Sequence, residues 1–336
     1  RPEDMSATGW RDLTPGFERD FILRQMTFYT NELFLRRDGR LVRIAKPDDA
    51  SAAVHREWLL LELRTPWEAG GATHPAGSLL AVDFERFLAD PADPRLPVHV
   101  LFAPGPRTSL VSFSTTRNHV LFNTLDNVRN RLFATTFRDG RWEAAPLPGV
   151  PEIGTAIATP VDDLESDDYF LVTASPLEPS TLSLGTVGKG PPERLKRSPA
   201  FFDAAGLAVT QHEATSKDGT RVPYFQIASA RLPADGRAPT LLYGYGGFEI
   251  PLVPGYESVA GATWLERGGV YVIANIRGGG EFGPAWHQSV MREKRQLAFD
   301  DFAAVARDMT ARGLTSPRRL GIYGRSNGGV LTTVSM

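Results

Sequence analysis

The sequence predicts a chain of two unlike parts: a first part of short antiparallel strands, then a parallel α/β sheet that carries a nucleophile at a strand-to-helix turn. Three observations predict it. Asp-Gly pairs separate short strand-like runs in the first 200 residues, and Asp-Gly is the strongest short-range hairpin signal. Residues 270–276 (VYVIANI) form an uninterrupted apolar run, the pattern of a strand buried on both faces of a parallel sheet. Residues 324–329 (GRSNGG) place Ser326 in GxSxG spacing, behind the strand-like residues 319–323 (RLGIY) and ahead of Val330, Leu331 and Val334 at helical spacing.

Size and composition bound the reading. The 336 residues suggest about two domains. A formal net charge of −2 and the lack of a long Lys/Arg block give no reason to expect nucleic acid or an anionic membrane as partner. Cysteine is absent, which excludes disulfides, thiolate catalysis and Cys-ligated zinc but leaves cytoplasm and periplasm both open. No apolar run is long enough to span a bilayer as a helix. The first residue is Arg1, so the start reads as internal to a longer protein.

Residues 1–202 form the first part. Asp38-Gly39 separates residues 32–37 (ELFLRR) from 40–44 (RLVRI), and Asp139-Gly140 separates residues 132–138 from 141–145. Further strands are expected at residues 55–63 (HREWLLLEL), 78–82, 99–102, 109–113 and 119–123. A glycine- and proline-rich insertion spans residues 64–77, and residues 83–88 (DFERFL) read as a short helix stopped by Pro91. The strands group into units of about 40 to 50 residues, a spacing that suits four-stranded propeller blades; a β-sandwich fits the same pattern.

Residues 203–336 form the second part. Residues 210–215 and 222–227 flank a hairpin at Lys217-Asp218-Gly219, and residues 240–243 read as a buried strand. Directly after it come Gly244, Tyr245, Gly246, Gly247 and Phe248, glycines dense enough to let a backbone approach a bound group closely. A phosphate loop would need a lysine that is missing here. Asp300 and Asp301 suit the N-terminus of a helix whose residues Phe302, Val305, Ala306 and Met309 share a face, with Gly313 as its C-terminal cap and Pro317 beyond.

Around Ser326 the chemistry is specific. A nucleophile at the tip of such a turn sits in strained backbone geometry, which small neighbours such as Gly324 and Gly328 permit. The helix that follows would aim its N-terminal amides at negative charge on a bound oxygen.

Residues 241–250 (LLYGYGGFEI), 274–282 (ANIRGGGEF), Trp286-His287, 299–302 (FDDF), Ser316-Pro317 and GRSNGG together resemble the prolyl oligopeptidase family of serine peptidases, most densely from about residue 221 onward. The resemblance implies part of a β-propeller followed by part of an α/β-hydrolase domain, in an endopeptidase that cleaves short peptides after proline. It implies Ser326 as nucleophile, the Tyr245 hydroxyl and the Asn327 amide as oxyanion donors, and Phe248, with Asn327 nearby, lining the pocket for the substrate proline. No metal or organic cofactor is implied; the expected partners are proline-containing oligopeptides and the remaining segments of the same enzyme.

One departure is large. Ten residues follow Ser326 and none is Asp or His, although a hydrolase of this fold places both after its serine. The triad Asp and His are therefore expected outside this chain, which reads as a segment of a larger enzyme. His287 precedes the serine and is expected to be structural or near substrate. His55, His74, His99, His119 and His212 show no metal-ligand spacing. Another acyl hydrolase or aminopeptidase on the same fold, or a non-catalytic propeller binding module, are the alternative readings.

Overall fold

A computed structural model describes residues 3–336. The chain opens with an antiparallel sheet, β1 (Ser6–Asp12), β2 (Arg19–Gln25), β3 (Asn31–Arg37) and β4 (Arg40–Ile44), in which Asp38 and Gly39 make the left-handed hairpin turn the sequence predicts. Next come β5 (Ser51–His55) and β6 (Trp58–Glu62), a small hairpin of β7 (Trp67–Ala69) and β8 (Ala72–His74), then β9 (Leu79–Asp83), helix α1 (Phe84–Ala89) and β10 (Val98–Phe102). The second sheet has the order β10-β9-β6-β5. The third is β11 (Thr108–Thr115), β12 (Val120–Asp126), β13 (Arg129–Arg138) and β14 (Arg141–Pro146); the fourth is β15 (Thr155–Pro160), β16 (Asp168–Ser175), β17 (Glu178–Thr186) and β18 (Glu193–Arg197).

These four sheets pack in chain order, and side-chain alternation explains how. In β6, Leu59 and Leu61 join a core with Phe21, Leu33 and Leu35 of the first sheet, while Trp58 and Leu60 face Leu110, Val120 and Phe122 of the third. Leu121 and Leu132 then share a core with Ala156, Tyr169 and Leu171 of the fourth. A strand covered on both faces needs apolar residues at consecutive positions, which is why β6 reads WLLLE. This is the face-to-face stacking of propeller blades. Among the described residues no strand pairing joins the first and fourth sheets, so the four do not close a ring by pairing.

Residues 55–63, expected as one strand, are two. Arg56 adopts a left-handed φ of +54° and turns the chain between β5 and β6. The insertion at residues 64–77 contains the β7–β8 hairpin, whose short strands its glycines and prolines obscure. Helix α1 forms as expected, with the Asp83 carboxylate accepting from the Arg86 amide at its N-terminus.

A five-stranded sheet follows, of order β19-β20-β22-β21-β23: β19 (Leu207–Thr215), β20 (Arg221–Ser229), β21 (Thr240–Tyr243), β22 (Val270–Ala274) and β23 (Leu320–Tyr323). β22, β21 and β23 are mutually parallel, and β20 runs antiparallel to β22. All of β22 is buried. Val270, Val272 and Ala274 pack with Phe302, Val305 and Met309 on one face; Tyr271 and Ile273 pack with Phe202 and Leu265 on the other. Helices α2 (Ser258–Thr263), α3 (Pro284–Gln288), α4 (Gln296–Ala311) and α5 (Asn327–Ser335) complete the chain.

One helical expectation needs correction. Asp300 and Asp301 lie inside α4, which begins at Gln296; Asp301 is turned inward to meet a buried arginine, a pairing that overrides its preference for a helix end. Of the three apolar residues in α5, only Leu331 is buried, while Val330 and Val334 are more than half exposed. Gly313 follows α4 at φ +70°, as a helix C-terminal glycine should.

Candidate active site

β22, β21 and β23 end side by side, and the segments leaving their carboxyl ends meet there, where open α/β sheets bind ligands. After β23 the chain turns at Ser326, which is exposed and has φ +50° and ψ −118°. A non-glycine residue held there costs about 1–3 kcal/mol. A Cβ on Gly324 would lie 2.1 Å from the carbonyl oxygen of Gly328, and one on Gly328 would lie 2.6 Å from that of Gly244. Both glycines are thus required by backbone contact. Asn327 opens α5, so its amide is among the four N–H groups that a helix leaves without intrahelical partners.

The segment after β21 is tied to this turn. The Gly244 amide donates to the Tyr323 carbonyl (3.2 Å), and Asn327 Nδ2 donates to the Tyr245 carbonyl (2.7 Å). A Cβ on Gly247 would fall 2.4 Å from Asn327 Nδ2, so only glycine leaves room for that side chain. The structure therefore brings Ser326, Asn327 and Tyr245 into one cluster. Tyr245 is half-buried. Phe248 stands farther along the same segment, 47% exposed, with φ +55°, its ring set edge-on to Phe28 at 5.6 Å between centroids.

The third segment, residues 275–283, supports the second. A Cβ on Gly278 would lie 2.3 Å from the Gly246 carbonyl oxygen, so the two turns touch through glycine. Arg277, at the start of this turn, donates to Asp301 from Nε (2.8 Å) and Nη2 (2.6 Å) and to Asp218 from Nη1 (2.6 Å). It thereby joins the β19–β20 hairpin, the end of β22 and α4. The carboxylate of Asp301 holds the guanidinium charged well beyond its ordinary range, and Arg277 holds Asp218 well below the usual carboxylate range. On the other side, Arg295 Nη1 donates to the Gly246 carbonyl.

Glu281 is wholly buried. Its Oε1 accepts from the Leu252 amide (2.9 Å) and from Asn275 Nδ2 (3.3 Å), whereas Oε2 has no partner. Burial pushes its carboxyl up to about 7.

His287 is buried, its Nδ1 2.7 Å from the Gly278 carbonyl oxygen and its Nε2 3.3 Å from the Tyr29 hydroxyl. Both ring nitrogens face those groups, and no described histidine hydrogen-bonds Ser326; His74 and His119, for example, bind the Ala69 carbonyl and Asp167. Among the described residues no three His, Asp or Glu side chains converge as a metal set.

Sequence reasoning missed several residues around this cluster. Asp218 and Asp301 were legible only as turn and helix-end residues, although an arginine following a buried strand, as Arg277 does, signals a need for carboxylate partners. Phe28, Tyr29 and Arg64 come from the first two sheets and carried no sequence signal at all.

Parallel strands, a left-handed serine turn at the carboxyl end of β23 and the blade-like sheets before them define an α/β-hydrolase sheet preceded by propeller blades. Residues 257–336 match the model of the prolyl oligopeptidase family. The chain is 41% identical over 332 residues to an uncharacterized peptidase of Sinorhizobium fredii, covering 97% of this chain and 45% of that protein. It is 35% identical over 187 residues to a prolyl endopeptidase of Elizabethkingia miricola, covering 56% of this chain and 26% of that protein. A solved post-proline cleaving enzyme from Rickettsia typhi superposes with a TM-score of 0.88 at 31% identity, over 99% of this chain and 49% of that one. Residues 257–336 thus carry the match to the prolyl oligopeptidase family, and the chain spans about half the length of the longest-matching relatives.

Proposed function

We propose that the protein carrying this chain is a serine peptidase that hydrolyses short peptides on the carboxyl side of proline through an acyl-enzyme. The observation that carries this is the left-handed Ser326 at the mouth of α5, bound through the Asn327 side chain to the Tyr245 segment. No described histidine hydrogen-bonds Ser326, and this reading assigns the triad His and Asp to a segment outside residues 1–336. The division between propeller and hydrolase parts is placed near Phe202, in the stretch between β18 and β19.

In this reading the base takes the Ser326 hydroxyl proton as Oγ attacks the carbonyl carbon of the proline residue. The Tyr245 hydroxyl and Asn327 amide stabilise the oxyanion, and one such donor is commonly worth about 2.7–4 kcal/mol. As the tetrahedral intermediate collapses, the C–N bond breaks and the amine leaves with that proton. Water then attacks the ester and releases the acid. Phe248 supplies an aromatic wall for the rigid, apolar proline ring.

The test is fluorophosphonate labelling of the purified protein, followed by a panel of peptides with proline or another residue before the scissile bond. Labelling at Ser326 with cleavage confined to the proline peptides is expected. Labelling with cleavage of other substrates would assign a different acyl hydrolase, and absence of labelling would leave a binding module.

A further inference from the structure

We propose that Arg64 is a positioning residue that reaches from the β-sheet part across to the hydrolase sheet and, by holding Glu249, fixes the turn that presents Phe248. The proposal deepens the peptidase reading and rests on it for the meaning of Phe248.

The turn needs holding. Gly246, Phe248 and Glu249 have φ of +58°, +55° and +60°. Gly246 adopts this without penalty, but each of the other two costs about 1–3 kcal/mol and persists only where its surroundings impose it. Locally the turn is closed by the Ile250 amide on the Gly247 carbonyl (3.1 Å) and the Glu249 amide on the Gly278 carbonyl (3.2 Å).

Arg64, just beyond β6, supplies an external tie. Its Nε donates to Glu249 Oε2 at 3.0 Å, with the two side chains 20% and 21% exposed. Its guanidinium carbon lies 3.7 Å from the Tyr29 ring centroid, a face-on cation–π contact that fixes the plane of the fork. Tyr29 in turn meets His287, and Gln288, the residue after it, donates to the Arg64 carbonyl at 3.1 Å. Arg64 is therefore gripped at its backbone carbonyl and at its guanidinium, and the group it grips lies next to Phe248. Phe28, beside Tyr29, packs on Phe248 itself. An ion pair shielded to this degree and held in one plane keeps more of its value than an exposed pair.

The experiment measures amide hydrogen exchange in the peptide spanning residues 246–250, KM and kcat on a proline peptide, and the rate of fluorophosphonate labelling, in wild type, Arg64→Ala, Arg64→Lys, Glu249→Gln and the Arg64→Ala/Glu249→Gln pair. Each single loss should raise exchange in that peptide about tenfold while the sheet peptides stay protected. KM should rise about tenfold, with kcat and labelling within about twofold. The double variant should match either single one, since both remove the same tie, and lysine, which keeps the charge but not the flat stack, should recover KM in part. Unchanged exchange, exchange rising throughout the sheet, additive effects, or KM unmoved while exchange rises would each overturn the proposal. Should Arg64→Ala fail to fold, Glu249→Gln preserves the side-chain shape and gives the same reading. Should wild type neither label nor cleave, the peptidase reading fails, whereas the exchange comparison still decides whether Arg64 holds the turn.

Discussion

Arg277 and Asp301 form a two-point ion pair at the foot of the turn that follows β22, with Nε and Nη2 on the two carboxylate oxygens and the Asp301 side chain fully withdrawn from solvent. Asp218 engages the same guanidinium from a more open position, its side chain 36% exposed. The pair spans α4 and the end of β22, so it sets where the 277–280 turn begins.

Removing the buried partner should cost far more than removing the open one. Asp301→Asn leaves Arg277 charged and half-satisfied in a dry site, a loss of about 3–5 kcal/mol; Asp218→Asn should cost about 1 kcal/mol. Urea unfolding midpoints of the two variants check the order.

Strain at the serine should trade stability against chemistry. Ser326→Gly relieves a left-handed φ and should raise stability by about 1 kcal/mol while abolishing fluorophosphonate labelling. Gly328→Ala places a methyl group against the Gly244 carbonyl and should lower both. Thermal melting and labelling of the two variants, side by side, separate the effects.

Glu281 predicts a pH dependence of opposite sign to that of a salt-bridged carboxylate. Its carboxyl is pushed up to about 7 from an ordinary 4.5, so the folded protein keeps a proton that the unfolded chain releases. That advantage is fully present below about pH 4.5 and is lost as pH rises toward 7, by up to about 3 kcal/mol. Glu281→Gln mimics the protonated form and should flatten the curve. Chemical denaturation should show wild-type stability falling more steeply than that of the variant between pH 5 and 8, the variant keeping only the slope of other buried carboxyls such as Glu62, which burial also pushes up to about 7.

Tyr245→Phe tests the oxyanion role. Loss of the hydroxyl should lower kcat by about 10²–10³ with KM nearly unchanged. Equal turnover in steady-state assays would remove Tyr245 from that role.

Much of this was legible in the sequence, for reasons that differ by element. The serine turn was legible because its glycines obey a local backbone demand: Gly324 and Gly328 each face a carbonyl oxygen within a few residues or one strand away. β22 was legible because burial on both faces forbids polar residues. Helix α2, by contrast, is the weakly patterned SVAGAT, with only Gly261 buried, and no periodicity could announce it. Asp301 misled because a carboxylate near a helix start satisfies amides in most settings, and its real partner follows a different strand. Arg64 and Glu249 lie 185 residues apart, and a pairing set by how two sheets dock leaves no trace in either neighbourhood.

The four antiparallel sheets have a thermodynamic consequence of their own. Because each core is shared by two successive sheets only, cohesion there is a nearest-neighbour sum, as in a linear array of coupled units. A lesion in the first sheet, at Leu33 for instance, weakens the second directly and the fourth only by relay. Tyr29, Arg64 and Ser109 short-circuit that relay, since each joins an early sheet straight to the segment around Glu249, Glu281 and His287. The turns around Glu249, Glu281 and His287 thus feel damage to the first two sheets more promptly than the fourth sheet does.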